Sequence, residues 1–299
     1  MGLDLRGIKI AVIGGDRRDI YLMQDLIELG ASVSAIGFSP CPELSQVRLL
    51  DRLETAIHKT QVLILPMGGT DLEGNIKTLD EDITLRLSPE IAAAIPEGVL
   101  VIIGFARDFV KEWAHKYRWK MIEIAEMDTV AVLNSIPSAE GALQLAMEKL
   151  QITIHGSNSF VLGFGRLGKT LARMLQGIGA RTTIVARKRS DLSRAIEMGY
   201  RPLHCSQLHQ SISVADVIFN TIPAMILDEK LLSLLNKDTL IIDIASSPGG
   251  TDFSVAKRLG IQAILTPSLP GMVAPKTSGK ILAQVIPQLI LREVPHEYY

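Results

Sequence analysis

Residues 163–168 read Gly-Phe-Gly-Arg-Leu-Gly, and eighteen residues past the last glycine the chain reads Ala186-Arg187-Lys188-Arg189-Ser190. These residue types have a joint chemical use at that spacing. In a turn from strand to helix, Gly163 permits the sharp reversal, Gly165 lets the backbone approach a pyrophosphate, and Gly168 lets the helix pack close on the strand. Arg166 and Leu167 then open the helix, whose N–H groups and positive dipole end favour phosphate. The second strand of such a unit ordinarily ends in a carboxylate that accepts hydrogen bonds from the adenosine ribose. Here Ala186 stands at the tip and three cations follow. An acid would repel a phosphate on the adenosine 2′-oxygen. Arg187 can instead grip it bidentately and stack on the adenine, Lys188 and Arg189 add charge, and Ser190 donates a further hydrogen bond. The expected cofactor is NADP rather than NAD. A solvated basic turn is the bland alternative, and the missing acid weighs against it.

Two later segments suit the nicotinamide end. "VIFNTIP" (217–223) puts Asn220, Thr221 and Pro223 at a strand end where the chain would pass the nicotinamide ribose, and "LIIDIASSPGGTDF" (240–253) ends another strand. A second group of chemistry-bearing residues lies earlier. "AVIGGDRRD" has a strand and a glycine turn without GxGxxG, so a second dinucleotide is not expected there. Arg17 and Arg18, beside a helix start, suit a carboxylate. Gly68 and Gly69 lie in a long glycine-bearing loop, 66–88, of the kind that forms lids or binding loops. Arg107 follows the next strand and Lys276 follows the last one. Asp16 and Glu140 are the candidate proton acceptors, although Glu140 equally suits the dipole of its own helix start. None of His58, His115, His155, His204, His209 and His296 sits in a recognisable catalytic context, and there is no GxSxG, HExxH or P-loop. A 2-hydroxyacid dehydrogenase would need a histidine near "TPSLPGM" (266–272), which has none.

The elements that must position these residues follow from the apolar runs. Strands are expected at 8–13, 32–36, 62–66, 99–103 and 120–124, then at 159–163, 182–186, 216–220, 239–243 and 262–266. Helices are expected at 19–30, 167–178, 190–198, 228–235, 252–259 and 276–291. Continuous apolar strands alternating with helices indicate parallel sheets buried on both faces. The expected fold is α/β, with two Rossmann-like doubly wound parallel-sheet domains separated by a cleft and joined by a long helix. The first domain covers 1–135 and is completed by a C-terminal helix, 276–299; a linking helix runs over 136–150, and the cofactor domain over 151–275. A strand is expected to end near Asn134, Ser138 to cap the linking helix, and Pro287 to kink or restart the last helix. The 299 residues suffice for two such domains, and 47% hydrophobic with 21% charged residues describes a globular chain. A net charge of −1 gives no field for nucleic acid or membrane. Cys41 and Cys205 are far apart, no metal-ligating cluster is visible, and no leader or spanning segment is seen, so a reduced cytoplasmic protein is expected.

"AVIGGDRR", "LPMGGTDLEGN", "NSIPSAEGAL", "VLGFGRLGKTLA", "VARKRSD", "FNTIP", "IDIASSPGGTDF" and "LPGMVAPKTSGKIL" together resemble the A subunit of bacterial dipicolinate synthase, over essentially the whole length. The resemblance implies oxidation of a dihydrodipicolinate-type intermediate of the lysine pathway to dipicolinate, in the mother cell of a sporulating bacterium. It also implies a partner, the flavoprotein-like B subunit of the same enzyme; a homo-oligomer is expected besides. A cleft with Arg17, Arg18, Arg107 and Lys276 would clamp both carboxylates of the substrate. Aromatisation is favourable enough to need no strong base, which agrees with the missing histidine. Two alternatives stay open: a stand-alone NADP-dependent 2-oxo or 2-hydroxy acid dehydrogenase, and a non-catalytic NADP-binding subunit whose chemistry belongs to a flavoprotein partner.

Overall fold

The computed structural model describes residues 3–246, 248–266 and 268–295. The chain forms two compact units: unit 1 is Met1–Leu133 with Ala274–Tyr299, and unit 2 is Asn134–Val273.

Unit 1 runs β1 (Lys9–Ile13), α1 (Arg17–Glu28), β2 (Ser32–Ile36), β3 (Arg48–Leu49), α2 (Leu53–Ile57), β4 (Val62–Ile64), β5 (Asn75–Ile76), β6 (Leu85–Arg86), α3 (Pro89–Ala94), β7 (Leu100–Ile103), α4 (Asp108–Lys116) and β8 (Lys120–Glu123). Its six-stranded sheet has the order β3-β2-β1-β4-β7-β8, with every pairing parallel. Ile10 pairs with Val33 on one side and Val62 on the other. β4 and β7 are buried along their whole length, which is why they read as unbroken apolar runs: helices cover both faces. On one face Leu22, Met23 and Leu26 of α1 pack with Leu282, Ile286 and Leu289 from the C-terminal helix; the other face carries Leu53, Ala92 and Val110 of α2, α3 and α4.

Helix α5 (Asp128–Lys149) carries the chain from unit 1 into unit 2. The strand expected to end near Asn134 is therefore helical. "VAVL" is a four-residue apolar run, too short for periodicity to separate strand from buried helix, and Val130 is buried in the core of unit 1. Ser138 lies inside this helix, not at its start, and its hydroxyl donates to the Asn134 carbonyl at 2.9 Å.

Unit 2 runs β9 (Asn158–Leu162), α6 (Arg166–Gly177), β10 (Arg181–Ala186), α7 (Arg189–Glu197), β11 (Arg201–His204), β12 (Val217–Asn220), α8 (Glu229–Leu232), β13 (Leu240–Asp243), α9 (Phe253–Leu259), β14 (Gln262–Leu265) and α10 (Leu269–Val273). Its sheet order is β11-β10-β9-β12-β13-β14, again all parallel. Counted from each sheet's own first strand, both orders are 3-2-1-4-5-6, the dinucleotide-binding arrangement. Strand β11 carries no apolar run to mark it in the sequence; it lies at the sheet edge and contains Pro202, which only an edge tolerates.

Helix α11 (Pro275–Glu293) returns to unit 1 and runs unbroken through Pro287, against the expectation of a kink or restart. Residues 296–299, placed in this helix by sequence, lie outside the described residues. Leu282, Val285, Ile286, Leu289 and Ile290, on both sides of the proline, are buried in the core of unit 1, which holds the helix together across the missing N–H. Gly279 sits against α1: a side chain there would meet the Arg18 carbonyl at 2.5 Å.

The start of α1 holds an unusual ionisable group. Asp19, 3% exposed, accepts the Asp16 N–H at 2.8 Å and closes a capping box. Burial and the neighbouring Asp16 charge push its carboxyl up to about 7, against the pull of Arg18. The native state therefore holds a proton that the unfolded chain releases near pH 4, and stability falls as pH rises from there to about 7. Asp19→Asn keeps an acceptor for Asp16 and does not titrate. Urea unfolding should show the wild type losing about 2–3 kcal/mol relative to Asp19→Asn between pH 5 and pH 8; a pH-independent difference would contradict the assignment.

Candidate functional site

The turn after β9 has the geometry that a dinucleotide needs. Gly163 has φ +96°, and a Cβ there would lie 2.5 Å from Thr221 Oγ1. A Cβ on Gly168 would lie 2.2 Å from the Gly163 carbonyl oxygen, so only glycine lets α6 approach β9 this closely. Gly165 differs: nothing comes within 4 Å of where its Cβ would be. It is also the N-cap residue of α6, with no side-chain cap and no acid in the first turn. The helix thus presents its positive end, with the Leu167 and Gly168 N–H groups, beside open space.

Strand β10 ends at Ala186, buried, and Arg187, Lys188, Arg189 and Ser190 follow, all exposed. Lys188 is the N-cap of α7 and makes no side-chain cap. The backbone here is tied down by His204, a histidine without catalytic context in the sequence. At the end of the neighbouring β11 and level with Ala186, it accepts the Ser206 N–H at Nδ1 (3.3 Å). That leaves the ring proton on Nε2, which donates to the Arg187 carbonyl at 3.2 Å. Its role depends on the pairing of β11, which no local pattern announces.

The far side of the crevice is organised by Asp243, which sequence reasoning also missed. It is fully buried at the end of β13 and receives Asn220 Nδ2 (3.0 Å), Ala245 N–H (3.2 Å), Gly250 N–H (2.9 Å) and Thr251 Oγ1 (2.7 Å). Asn220 is thereby fixed, also donating to the Ile222 carbonyl and accepting the Ile222 N–H. Thr221 Oγ1 donates to the Leu162 carbonyl at 2.8 Å. Asn220 and Thr221 are therefore scaffold at the strand end, with Pro223 following in the loop. Ser247, within "IDIASSPGG", lies outside the described residues.

In unit 1 the corresponding place is filled by the chain itself. The 66–88 segment is not a free lid: it forms the antiparallel β5–β6 hairpin, and Ile76, Leu85 and Leu87 are buried in the core. Gly15 N–H donates to the Lys77 carbonyl at 2.7 Å, and Leu79 N–H to the Gly37 carbonyl at 2.9 Å. Backbone lies where a pyrophosphate and ribose would lie in a cofactor domain.

The residues expected to bind substrate separate into two kinds. Arg18 is 4% exposed, and its Nε and Nη2 meet Asp16 at 2.8 and 2.7 Å. This corrects both expectations for the pair. Arg18 is not open to a substrate; burial favours raising the Asp16 pKa, but the hydrogen bonds and charge of Arg18, helped by Lys77, outweigh it and hold Asp16 below the usual carboxylate range. Asp16 is a cap and counter-ion, a poor base. Arg17, Lys77 and Lys276 are exposed, and among the described residues no carboxylate pairs with them. Lys276 is in the first turn of α11, one turn before the Gly279 contact with α1. Gly69, φ +66°, packs so that a Cβ would lie 2.0 Å from the Phe105 carbonyl oxygen, whereas Gly68 borders open space. Arg107, half-buried, donates from Nε to the Thr70 carbonyl at 3.2 Å. Glu140 is exposed within α5, far from the first turn, so it does not serve the helix start.

Known proteins share this arrangement. Residues 9–125 match the family model for the N-terminal domain of the dipicolinate synthase A subunit. Residues 137–249 match "D-isomer specific 2-hydroxyacid dehydrogenase, NAD binding domain". Over 287 residues the chain is 38% identical to the dipicolinate synthase A subunit of Bacillus subtilis (strain 168), covering 96% of this chain and 97% of that one. The chain belongs to the family of dipicolinate synthase A subunits. Crystal structures of two members share its fold over its length: that from Bacillus halodurans at TM-score 0.90 and 36% identity, covering 96% of this chain and 99% of that one, and that from Bacillus subtilis at TM-score 0.86 and 37% identity, covering 97% and 98%. Unit 2 of this family member is an oxidoreductase domain that binds an NAD(P) nucleotide. The dehydrogenase match ends at residue 249, before the "TPSLPGM" segment that lacks a histidine, and Pro267 in that segment lies outside the described residues. Among the described residues no helix is long and apolar enough to cross a membrane.

The three glycines separate folding from binding. Gly168→Ala should cost about 1–3 kcal/mol in urea unfolding, because backbone must move. Gly165→Ala should stay within about 1 kcal/mol of wild type yet weaken dinucleotide binding at least about tenfold by calorimetry, since its methyl would stand in the space the pyrophosphate needs. Asp243→Ala should cost about 3 kcal/mol or more, as several buried donors lose their acceptor at about 1–3 kcal/mol each.

Proposed function

We propose that this chain is the NADP-binding subunit of a dipicolinate synthase, oxidising a dihydrodipicolinate-type intermediate of the lysine pathway to the aromatic dicarboxylate during sporulation. The observation that carries the reading is the open space at Gly165, at the positive end of α6, in a unit whose strand tip offers Arg187, Lys188 and Arg189 in place of an acid. Family membership agrees with it. That the relatives are one lettered subunit of their enzyme supports a second, which we take to be a flavoprotein-like B subunit.

Arg187 and its two neighbours would hold the 2′-phosphate, with Ser190 donating; Gly165 and the first turn of α6 would hold the pyrophosphate. When bound, the oxidised nicotinamide supplies the hydride acceptor. Unit 1 would hold the substrate. Arg17, Arg107 and Lys276 are its cations, together with Lys77, which no sequence signal marked. They lie at the carboxyl end of its sheet or at the start of α1 and α11 beside it, where open α/β sheets bind ligands. Arg18 is excluded by its pairing with Asp16. The ring loses a hydride and a proton and becomes aromatic, so the step runs downhill and asks of the protein chiefly orientation, worth up to roughly 7–11 kcal/mol in ideal cases. Of the two carboxylates considered for the proton, Asp16 is committed to Arg18; Glu140, exposed and without a cation partner among the described residues, remains.

Two measurements test this. Arg187→Ala should weaken NADP by about 2 kcal/mol, the loss of a charge-assisted pair, and leave NAD nearly unchanged; equal losses for both would remove the phosphate clamp. In the reconstituted two-subunit enzyme, ultraviolet absorbance should show one NADPH formed per dipicolinate. Dipicolinate without NADPH would move the redox step to the partner and overturn the reading.

A further inference from the structure

The loop after β7 carries an aromatic side chain that the fold does not bury. Gly104–Arg107 is fixed from both sides. Gly104 N–H donates to the Pro66 carbonyl at 3.2 Å, Ala106 N–H to Glu123 Oε2 at 2.9 Å, and Arg107 Nε to the Thr70 carbonyl at 3.2 Å. A Cβ on Gly104 would lie 2.1 Å from the Met67 carbonyl oxygen, so the backbones of the loops after β4 and β7 touch. On this rigid support Phe105 is 45% exposed. Two cations attend it: the Arg107 guanidinium carbon lies 5.6 Å and Lys111 Nζ 5.7 Å from the ring centroid. Lys111 also meets Glu123 at 3.1 Å, while among the described residues no carboxylate pairs with Arg107. Beside them Thr70, 3% exposed, has a hydroxyl with no hydrogen-bond partner, and the space at Gly68 is open.

A half-exposed phenyl ring, two cations over it and an unused buried hydroxyl nearby together suit a flat, conjugated ring that carries carboxylates. Aromatic rings stack with offset faces, and guanidinium pairs with carboxylate in a fixed planar geometry. We propose that Phe105 is the stacking platform for the planar ring of a cyclic dicarboxylate, with Arg107 and Lys111 receiving its carboxylates, so that Phe105 selects conjugated rings over open-chain diacids. This rests on the reading that unit 1 holds a dicarboxylate.

The test compares pyridine-2,6-dicarboxylate with glutarate, whose carboxylates are likewise separated by three atoms but which has no ring. Calorimetry uses the full chain in metal-free buffer, with and without NADPH. The wild type should bind the pyridine diacid at least about tenfold more tightly. Phe105→Leu should remove that preference and leave glutarate binding unchanged. Phe105→Trp should keep it, with the indole emission quenched by the pyridine diacid. Arg107→Gln should weaken both ligands alike. A wild-type preference that survives intact in Phe105→Leu overturns the platform and leaves the dicarboxylate reading standing. Failure of the wild type to bind either diacid overturns that reading and the platform with it.

Discussion

One hydrogen bond, from Gly15 N–H to the Lys77 carbonyl, marks the division of labour in this chain. Both units have the same strand order, a glycine turn after the first strand and a helix behind it. In unit 2 the turn faces open space. In unit 1 the protein's own 77–80 backbone answers the Gly15 and Gly37 groups that a nucleotide would otherwise meet. A domain that fills its own phosphate turn is free to hold something else. The cations at the carboxyl end of its sheet, and a phenyl held out on a rigid loop, are the groups that the proposed flat dicarboxylate would meet.

The carboxyl ends of both sheets are held by buried or half-buried carboxylates. Asp243 gathers four donors from three segments into one buried carboxylate, which fixes the turn that follows β12. The Asp16–Arg18 pair locks the start of α1, and Asp19 beside it is held near the point of titration. Orientation is the main contribution available to the aromatising reaction proposed above, and preorganised loops supply orientation without strong acids or bases.

Much of the architecture was legible because parallel strands covered on both faces must be apolar throughout: "VLIL" and "LVII" announce themselves. What failed was short or depended on distant packing. "VAVL" at 130–133 carries the same signal as a strand and is a helix; Pro287 breaks nothing because the helix around it is buried against α1. The cofactor turn was legible for a local reason, since Gly163, Gly165 and Gly168 meet constraints set within one strand–turn–helix unit. The residues proposed to meet a substrate were not. Arg17 and Arg18 are adjacent in sequence and identical in type, and only the fold shows that one is exposed and the other is bound to Asp16. His204 and Asp243 acquire meaning from neighbours 17 and 23 positions away, and Phe105 from its exposure, neither of which a local pattern encodes.

One unit is proposed to take the phosphorylated dinucleotide, while in the other, built on the same strand order, the chain's own backbone fills the corresponding turn. Titration calorimetry of the full chain with NADP tests this assignment most directly. A single site per chain is expected; two equivalent sites, or none, would contradict it.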